Sequence, residues 1–309
     1  MTHRSIPPLV LQKAEAMGAE GLAWLDELDD TIGALERQWQ VRIGEAMAGG
    51  THSYVAQAEL PGGETCILKL ALPDYMGTAF APQASALAAA NGQGYVKLLR
   101  CAPGRHACLL EQLGRPLGSL GYSPLEQMKR ICETLQTSWI PAQSPGLQTG
   151  QEIIAFFRES VRSLWEELGR PCPARVVDVA YAFLDMRELD YHPEEFVLVH
   201  GDAHGGNVLE APGGGFKLVD PDGIYYEKAY DLGVLMREWT AEYSGNPVES
   251  GLARCAYLHQ LTGADRQAIW AWGFIQCVST GLLCLKVGGL MEIGQMMLDA
   301  AEAWMEVRP

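Results

Sequence analysis

The chain has 309 residues, of which 48% are hydrophobic and 20% are charged, the composition of a globular protein with a sizeable core. Its 38 acidic and 23 basic residues give a formal net charge of −15. This charge argues against nucleic acid as the main partner, which needs a basic surface, and it is compatible with a cationic small substrate. The eight cysteines form no C-x-x-C pair and no zinc-finger spacing, so reduced thiols in a cytoplasmic protein are expected.

No membrane segment is predicted. Residues 1–10 lack a long apolar core, so no secretory signal is expected there. The most apolar stretch near the C-terminus, residues 273–285, contains Gln276 and Ser279 and is too short to cross a bilayer. It predicts a buried core helix.

Residues 1–40 predict a helical segment that packs on the rest of the protein. Its apolar residues recur three or four positions apart, as on one face of a helix. They are Leu22, Leu25, Leu28, Ile32 and Leu35. No chemistry is expected in this segment.

Residues 41–113 predict a small antiparallel sheet with one helix. A loop of small residues leads into the first long strand, and the sequence Pro-Gly-Gly-Glu at 61–64 is a strong turn signal. The predicted strands are residues 54–60, 65–70, 94–99 and 107–113, and the predicted helix is residues 77–91.

Two features of this sheet point towards phosphate binding. Lys69 lies inside an apolar strand, where it needs an anionic partner because burying an unpaired ammonium is costly; an edge lysine that reaches solvent is the alternative. The loop at residues 49–53, Gly-Gly-Thr-His-Ser, is a candidate phosphate-covering loop, although small-residue turns are common. No G-x-x-x-x-G-K-[ST] motif occurs, so the chain is not predicted to be a P-loop enzyme.

Residues 114–118 predict a linker between two lobes, and residues 119–309 predict a mainly helical second lobe. Ser123, followed by Pro124 and Glu126, has the character of a helix start. The predicted helices are residues 124–138, 150–168, 174–189, 229–243, 249–262, 265–285 and 289–306.

The central feature is a pair of apolar runs that each deliver polar residues to a tight loop. Residues 197–209 have the sequence V-L-V-H-G-D-A-H-G-G-N-V-L, and residues 216–223 have F-K-L-V-D-P-D-G. Phosphoryl transfer needs a carboxylate near the acceptor hydroxyl and hard oxygen ligands for Mg²⁺. Asp202, Asn207 and Asp220 can supply both, and Lys69 could reach the phosphates.

A zinc site is the competing interpretation of the same loop, because His200 and His204 are four residues apart. The glycines between and after them oppose a helix, and no H-E-x-x-H glutamate is present. Oxygen ligands also suit magnesium better than zinc.

The H-G-D-x-x-x-x-N pattern at 200–207, followed by V-D-P-D-G at 219–223, resembles the aminoglycoside phosphotransferase family, which shares the protein-kinase fold. The resemblance covers roughly residues 40–300, and residues 229–239 and 92–99 are most similar to its streptomycin-kinase and hydroxyurea-kinase branch. It implies an α+β, bilobal protein-kinase-like fold, with a small antiparallel β N-lobe and a larger, mainly helical C-lobe.

The resemblance also assigns roles. It implies that Asp202 is the catalytic base, that Asn207 and Asp220 hold Mg²⁺, and that Lys69 binds the phosphates of ATP or GTP. Asp231 would brace the catalytic loop, and His200 would hold it by hydrogen bonds. Further nucleotide contacts are expected at the phosphate-covering loop and at the hinge, namely at Gly50, Thr51, Ser53, Glu111 and Leu113.

One position departs from the family pattern. Relatives carry a glutamate on the helix after the lysine strand, and the corresponding position here is Gln83. A neutral amide can hydrogen-bond Lys69 but cannot neutralise it. Asp74, in the preceding loop, could supply the missing charge.

The sequence therefore predicts a kinase that phosphorylates a hydroxyl of a cationic antibiotic, an aminoglycoside such as streptomycin. A kinase of an endogenous metabolite such as choline, homoserine or a sugar is an alternative on the same scaffold. A catalytically weak nucleotide- or ligand-binding protein is another, motivated by Gln83. Glu195 ends an acidic run that is either a solvated helix end or a cleft wall. Acceptor contacts are expected from acids of the second lobe, with Asp222, Glu195, Glu238 and Glu242 as candidates.

Overall fold

A five-stranded antiparallel sheet with strand order β1-β2-β3-β5-β4 builds the N-terminal lobe. The structure is a computed structural model that describes residues 4–47, 52–73, 80–141, 144–307 and 309. The strands are β1 (Arg42–Ala46), β2 (Ser53–Glu59), β3 (Thr65–Ala71), β4 (Leu98–Ala102) and β5 (Ala107–Glu111), and one helix, α3 (Phe80–Ala90), follows β3. The predicted helix start at residues 77–79 lies outside the described residues.

The two faces of this sheet pack against different partners. Along β3, Cys66, Leu68 and Leu70 belong to a core shared with the N-terminal helices, whereas Ile67 packs into the larger core on the other side. Because successive side chains of a strand alternate between faces, Lys69 shares the face of Ile67. The strand pattern therefore puts the lysine on the side of the second lobe.

The N-terminal segment forms two helices, α1 (Pro8–Ala16) and α2 (Ala19–Trp39). The predicted single helical segment is broken at Gly18, whose φ of +68° is left-handed backbone that favours glycine. The apolar stripe of α2, from Leu28 to Trp39, is buried in one core with β1, β2 and β3. This segment thus completes the first lobe.

Residues 94–97 do not form the predicted strand start. Val96 donates its N–H to the carbonyl of Leu218, and Tyr95 bridges to the same residue. Positive φ angles at Gly92 and Gly94 turn the chain away from the sheet, so β4 begins only at Leu98. This stretch contacts the second lobe.

The second lobe is mainly helical. Its helices are α4 (Pro124–Ser138), α5 (Gly150–Glu167), α6 (Ala174–Leu189), α7 (Ala229–Arg237), α8 (Pro247–Thr262), α9 (Arg266–Val287) and α10 (Met291–Trp304). Ser123 caps α4 in a reciprocal capping box with Glu126, as its sequence predicts. Helix α9 is long and apolar enough to span a membrane, but 78% of its most apolar window is buried inside the protein, which confirms the predicted core helix.

Helix α7 ends earlier than predicted. Trp239 adopts a left-handed φ of +50°, and the buried Arg254 of α8 donates hydrogen bonds to the carbonyls of Leu235, Met236 and Glu238. These donors take up carbonyls that a continuing helix would use. The chain resumes as a short 3₁₀ turn at Thr240–Tyr243.

Two small sheets carry the motif loops. Strands β6 (Gln148–Thr149), β10 (Ile224–Tyr226) and β7 (Val197–Val199) form one sheet, and β8 (Val208–Glu210) with β9 (Phe216–Leu218) forms the other. The loop at residues 200–207 therefore joins β7 to β8, and Asp220 lies between β9 and β10. The predicted linker is docked on this region, since Gly114 and Gly118 donate to the carbonyls of Glu210 and Gly205.

Candidate active site

Asp231 anchors the start of the loop at residues 200–207. This fully buried carboxylate of α7 accepts the backbone N–H groups of His200 at 3.0 Å and Gly201 at 2.8 Å, and the indole N–H of Trp139 at 2.8 Å. Three donors satisfy the carboxylate, as a buried charge requires. Asp231 thus braces the loop, as the sequence predicts.

His200 holds the same loop from within. It is fully buried, its Nε2 lies 2.7 Å from the carbonyl of Val219, and its Nδ1 accepts the N–H of Asp202 at 3.1 Å. One ring nitrogen must donate and the other accept, so the imidazole is neutral. Burial also lowers the pKa of His200, which favours the same neutral form. The prediction that His200 holds the loop by hydrogen bonds is confirmed.

Asp202 stands at the surface of this rigid loop, with 37% of its side chain exposed. Its Oδ1 accepts a hydrogen bond from Nη2 of Arg237, and its Oδ2 lies 3.4 Å from Nε2 of His204. Burial by itself raises the pKa of Asp202, but the hydrogen bond from His204 and the charge of Arg237 outweigh it and hold this pKa well below its usual range. Asp202 is therefore an ionised carboxylate with one accessible side.

Arg237, the last residue of α7, is a site residue that sequence analysis did not single out. Only 14% of its side chain is exposed. Its Nη1 donates to Oε1 of Gln276 at 2.8 Å and to Oγ1 of Thr280 at 2.6 Å, both on α9. A lone cation at the end of a helix whose other residues, apart from Asp231, are uncharged was the signal available in the sequence. Helix α9 thus fixes the guanidinium against Asp202.

Asn207 contacts Asp202, and Asp220 lies in the neighbouring loop, where Val219 donates its N–H to the carbonyl of Asn207 at 2.9 Å. Asn207 donates Nδ2 to the carbonyl of Asp202 at 3.0 Å and lies 3.5 Å from its Oδ2, which leaves the amide oxygen of Asn207 without a hydrogen bond to any described residue. Asp220 has a left-handed φ of +59°, a strained backbone that is typical of functional sites. About half of its side chain, 49%, is exposed.

Lys69 of the first lobe reaches across to this pair. Its Nζ lies 2.7 Å from Oδ1 of Asp220 and 2.8 Å from Oε1 of Gln83 on α3. Lys69 therefore has the anionic partner that its strand position demanded, in Asp220, and the amide of Gln83 hydrogen-bonds it without supplying a charge. Asp74 lies outside the described residues.

These groups fit a divalent cation. Within the described ranges there is no cluster of three or more His, Cys, Asp or Glu side chains that could hold a metal by itself. Magnesium is commonly bound by one or two protein oxygen ligands together with water and substrate phosphates. The free amide oxygen of Asn207 and the second carboxylate oxygen of Asp220 match that smaller set.

The other candidate nucleotide residues that the structure describes belong to β2, to β5 and to the residues directly after β5. Ser53 is buried at the start of β2, opposite Ala71, and Gly50 and Thr51 lie outside the described residues. The side chain of Glu111 is occupied by the N–H of Lys97, at 2.7 Å, and by the ammonium of Lys217. Leu113 follows β5, and its backbone N–H bonds to no backbone carbonyl of the described residues. A contact of Glu111 with nucleotide would therefore use its backbone.

Two of the four acceptor candidates lie at the loop of residues 200–207. Asp222 packs against Gly201, where a Cβ atom would stand 2.4 Å from its Oδ2, and Gly201 has a φ of +93°. As a whole residue Asp222 is exposed, but protein atoms pack closely around its carboxylate. This burial and the charge of Asp202 raise the pKa of Asp222 to about 7. Glu238 lies 4.0 Å from Nε of Arg237.

The structure does not bring the other two acceptor candidates to the loop. Glu242 pairs with the buried guanidinium of Arg254 at 2.6 Å, so its charge is compensated there. Glu195 is exposed at the end of the 3₁₀ turn Pro193–Glu195, before β7. Strand β7 separates it from the loop by three extended residues, roughly 10 Å of chain.

Comparisons with known proteins agree with this architecture. A family model described as aminoglycoside/hydroxyurea antibiotic resistance kinase matches residues 38–282. A streptomycin 6-kinase of Streptomyces glaucescens is 27% identical over 285 residues, which cover 91% of each chain. A second streptomycin 6-kinase, of Streptomyces griseus, is 27% identical over 291 residues, covering 93% of this chain and 92% of the relative.

Solved structures share the fold. An aminoglycoside phosphotransferase in a ternary complex with ADP and hygromycin B superposes with a TM-score of 0.62 at 14% identity, covering 90% of this chain and 99% of that one. A choline kinase of Streptococcus pneumoniae superposes with a TM-score of 0.61 at 14% identity and the same coverage. The predicted bilobal protein-kinase-like fold is thus confirmed. The chain belongs to the aminoglycoside/hydroxyurea antibiotic resistance kinase family and is a phosphotransferase that acts on a hydroxyl group.

Proposed function

We propose that this protein transfers the γ-phosphate of ATP or GTP to a hydroxyl of a cationic aminoglycoside of the streptomycin type. The observation that carries the proposal is the meeting of the two lobes at one point. Lys69 of the sheet contacts Asp220, and Asn207, which could share a cation with Asp220, contacts Asp202. A phosphate donor, a metal site and a base can therefore share one cleft.

Asp202 acts as the base in this proposal. Its accessible carboxylate orients the acceptor hydroxyl and takes its proton as the hydroxyl oxygen bonds to the γ-phosphorus. The bond between that phosphorus and the bridging oxygen breaks, and the nucleoside diphosphate leaves. Positioning and electrostatics account for most of the rate in such transfers, which suits a base clamped by Arg237 and His204.

Asn207 and Asp220 are the residues that would hold Mg²⁺. When bound, the cation supplies positive charge that offsets the negative charge on the phosphates. Lys69 binds the phosphates from the other side, released from Asp220 or shared with it, and Gln83 keeps its ammonium in place. Ser53, Gly50 and Thr51 would contribute at the phosphate-covering loop.

The base of the nucleotide would lie at the edge of β5, against the backbone of Glu111 and Leu113. The open N–H of Leu113 can donate to a ring nitrogen there. The eight free thiols support a cytoplasmic location, where nucleoside triphosphates are available.

A cationic acceptor is favoured by the charges at the loop. Asp222 and Glu238 flank Asp202, and the chain as a whole carries a net charge of −15, so an ammonium- or guanidinium-bearing substrate is attracted to the cleft. Both relatives that align over most of the chain are called streptomycin 6-kinases. Glu242 and Glu195 take part only if the loops that carry them move towards the cleft.

The test is a substrate panel read by product mass. Purified protein with Mg²⁺ and ATP or GTP is incubated with streptomycin, hydroxyurea, hygromycin B, spectinomycin or choline, beside an Asp202→Asn control. We expect a singly phosphorylated streptomycin that the Asp202→Asn variant does not form. Phosphorylated choline with unmodified antibiotics would favour an endogenous metabolite, and nucleotide binding without any product would favour a binding protein.

A further inference from the structure

Two cysteines on neighbouring strands of the first lobe face each other. Cys101 of β4 and Cys108 of β5 are directly paired in the antiparallel register, and their Sγ atoms are 3.9 Å apart, with the thiol of Cys108 donating to Cys101. This is the one thiol–thiol contact among the described residues. The other six cysteines are buried.

The backbone geometry allows these two thiols to join. Directly opposed residues of antiparallel strands have Cα atoms about 4.5–5.5 Å apart, and disulfides span Cα distances of about 4.4–6.8 Å. The Sγ atoms would have to close from 3.9 Å to about 2 Å. Side-chain rotation with a small approach of the strands is sufficient.

The two thiols differ in reactivity. Cys101 is partly exposed, whereas Cys108 is buried. The hydrogen bond from Cys108 lowers the pKa of Cys101 to about 7, and the same bond together with burial raises the pKa of Cys108. A partly exposed thiol with a low pKa is the one that oxidants attack first. Cys108 has the position of a resolving thiol.

The pair adjoins the phosphate-binding lysine. Cys108 is the register partner of Lys69 on one side and of Cys101 on the other. Paired residues of a sheet share a face, so all three side chains lie on the face towards the second lobe. Any change in the spacing of β4 and β5 therefore shifts the residue that is paired with Lys69.

We propose that Cys101 and Cys108 form a peroxide-sensitive dithiol that closes to a reversible disulfide next to the nucleotide site. The Cys101 thiolate attacks an oxygen of hydrogen peroxide, the O–O bond breaks, and hydroxide leaves, which oxidises Cys101 to a sulfenic acid. The Cys108 sulfur then attacks the Cys101 sulfur, the S–O bond breaks, and water leaves. In total, two thiols and one peroxide give one disulfide and two waters.

Closure of the disulfide weakens nucleotide binding, because it changes the spacing of β4 and β5 beside Lys69. This consequence rests on the proposed function, whereas formation of the disulfide does not. We expect the affinity for ATP to fall about fivefold or more, the lower range of coupling between linked sites. A thiol reductant restores it.

The full chain is reduced, freed of reductant and titrated with hydrogen peroxide, with and without a dione probe that traps sulfenic acids. Mass mapping of unreduced peptides should find a Cys101–Cys108 link while the six buried cysteines, the internal control, stay as thiols. In Cys108→Ser the probe should label Cys101. In Cys101→Ser, residue 108 should resist oxidation.

Several outcomes would overturn the proposal. These are a link that involves other cysteines, no link at all, absence of the probe on Cys101 in Cys108→Ser, or equal oxidation of Cys108 when Cys101 is replaced.

ATP affinity is measured by calorimetry on oxidised and re-reduced protein, and an unchanged affinity would contradict the coupling to the nucleotide site. Matching thermal melts of the serine variants and the parent show that both variants fold. Failure of the substrate panel would leave the disulfide mapping intact, so the two proposals are separable.

Discussion

Arg237 donates a hydrogen bond to Oδ1 of Asp202 while Gln276 and Thr280 of α9 hold its other guanidinium nitrogen. The proposed base is thus fixed by a cation that a separate helix positions. This arrangement keeps Asp202 ionised and leaves Oδ2 for the acceptor hydroxyl and His204. The buried helix α9 therefore sets the position of the carboxylate that we propose as the base.

Replacing Arg237 by Met tests this dependence. Methionine keeps much of the side-chain volume but removes the charge and all three hydrogen bonds, to Asp202, Gln276 and Thr280, so Asp202 loses its orientation. We expect kcat to fall about 100-fold, the usual cost of a misplaced catalytic group, with little change in the KM for nucleotide. Thr280→Val removes one of the two supports of Arg237 and should cost much less. Equal kcat values for Arg237→Met and the parent would contradict the role of this contact.

Gln83 is the second place where a single substitution is informative. Its Oε1 accepts from Lys69 at 2.8 Å, and a hydrogen bond to a charged group contributes about 1.5–3 kcal/mol. Gln83→Ala should therefore raise the KM for ATP about tenfold or more by this measure, while Gln83→Glu, which keeps the acceptor, should retain nucleotide binding. Steady-state kinetics at saturating acceptor measure both. An alanine variant with the parental KM would show that Asp220 alone positions Lys69.

Magnesium dependence follows from the oxygen pair at Asn207 and Asp220. Chelation with EDTA should abolish transfer, and added Mg²⁺ should restore it. Asp220→Asn removes the charged ligand, so it should need a higher Mg²⁺ concentration for half-maximal rate and reach a lower kcat. Asp178→Asn, at an exposed acid of α6, is the control. A Mg²⁺ response of Asp220→Asn identical to that of the control would remove Asp220 from the metal site.

The sequence predicted some parts of the site and not others, for identifiable reasons. Asp202, Asn207 and Asp220 lie on two short loops, between β7 and β8 and between β9 and β10, so local sequence defines their neighbourhood. Lys69 was recognisable as a cation inside an apolar strand, and Gln83 followed from the family pattern of the next helix. Arg237 reaches Asp202 only because α7 and α9 pack together, and periodicity does not encode that packing. The acids Glu195 and Glu242 were equally good candidates by composition. The fold gives one of them to Arg254 and leaves the other at the far end of β7.

The capping box of α4 gives a prediction about stability and pH. Ser123 and Glu126 satisfy each other's backbone N–H groups, and the hydrogen bonds from Ser123 lower the pKa of Glu126. Because this pKa is lower in the folded state, the stabilisation is present above the ordinary glutamate pKa and is lost as the pH falls through the folded value. Ser123→Ala should lower the free energy of unfolding by about 1 kcal/mol at neutral pH. Urea titrations at neutral and acidic pH should show the difference shrinking in acid.

The loop at residues 200–207 depends on the buried carboxylate of Asp231 for its structure. Its removal leaves the N–H groups of His200 and Gly201 and the indole of Trp139 without an acceptor in a buried site, and each unsatisfied donor costs about 1–3 kcal/mol. We expect Asp231→Ala to lower the free energy of unfolding by about 3 kcal/mol or more and to lower kcat because the loop loses its brace. Asp231→Asn keeps one acceptor oxygen and should lose less stability. Asp178→Ala, on the exposed face of α6, controls for loss of a carboxylate, and an Asp231→Ala variant as stable as this control would show that the loop does not need its buried acid.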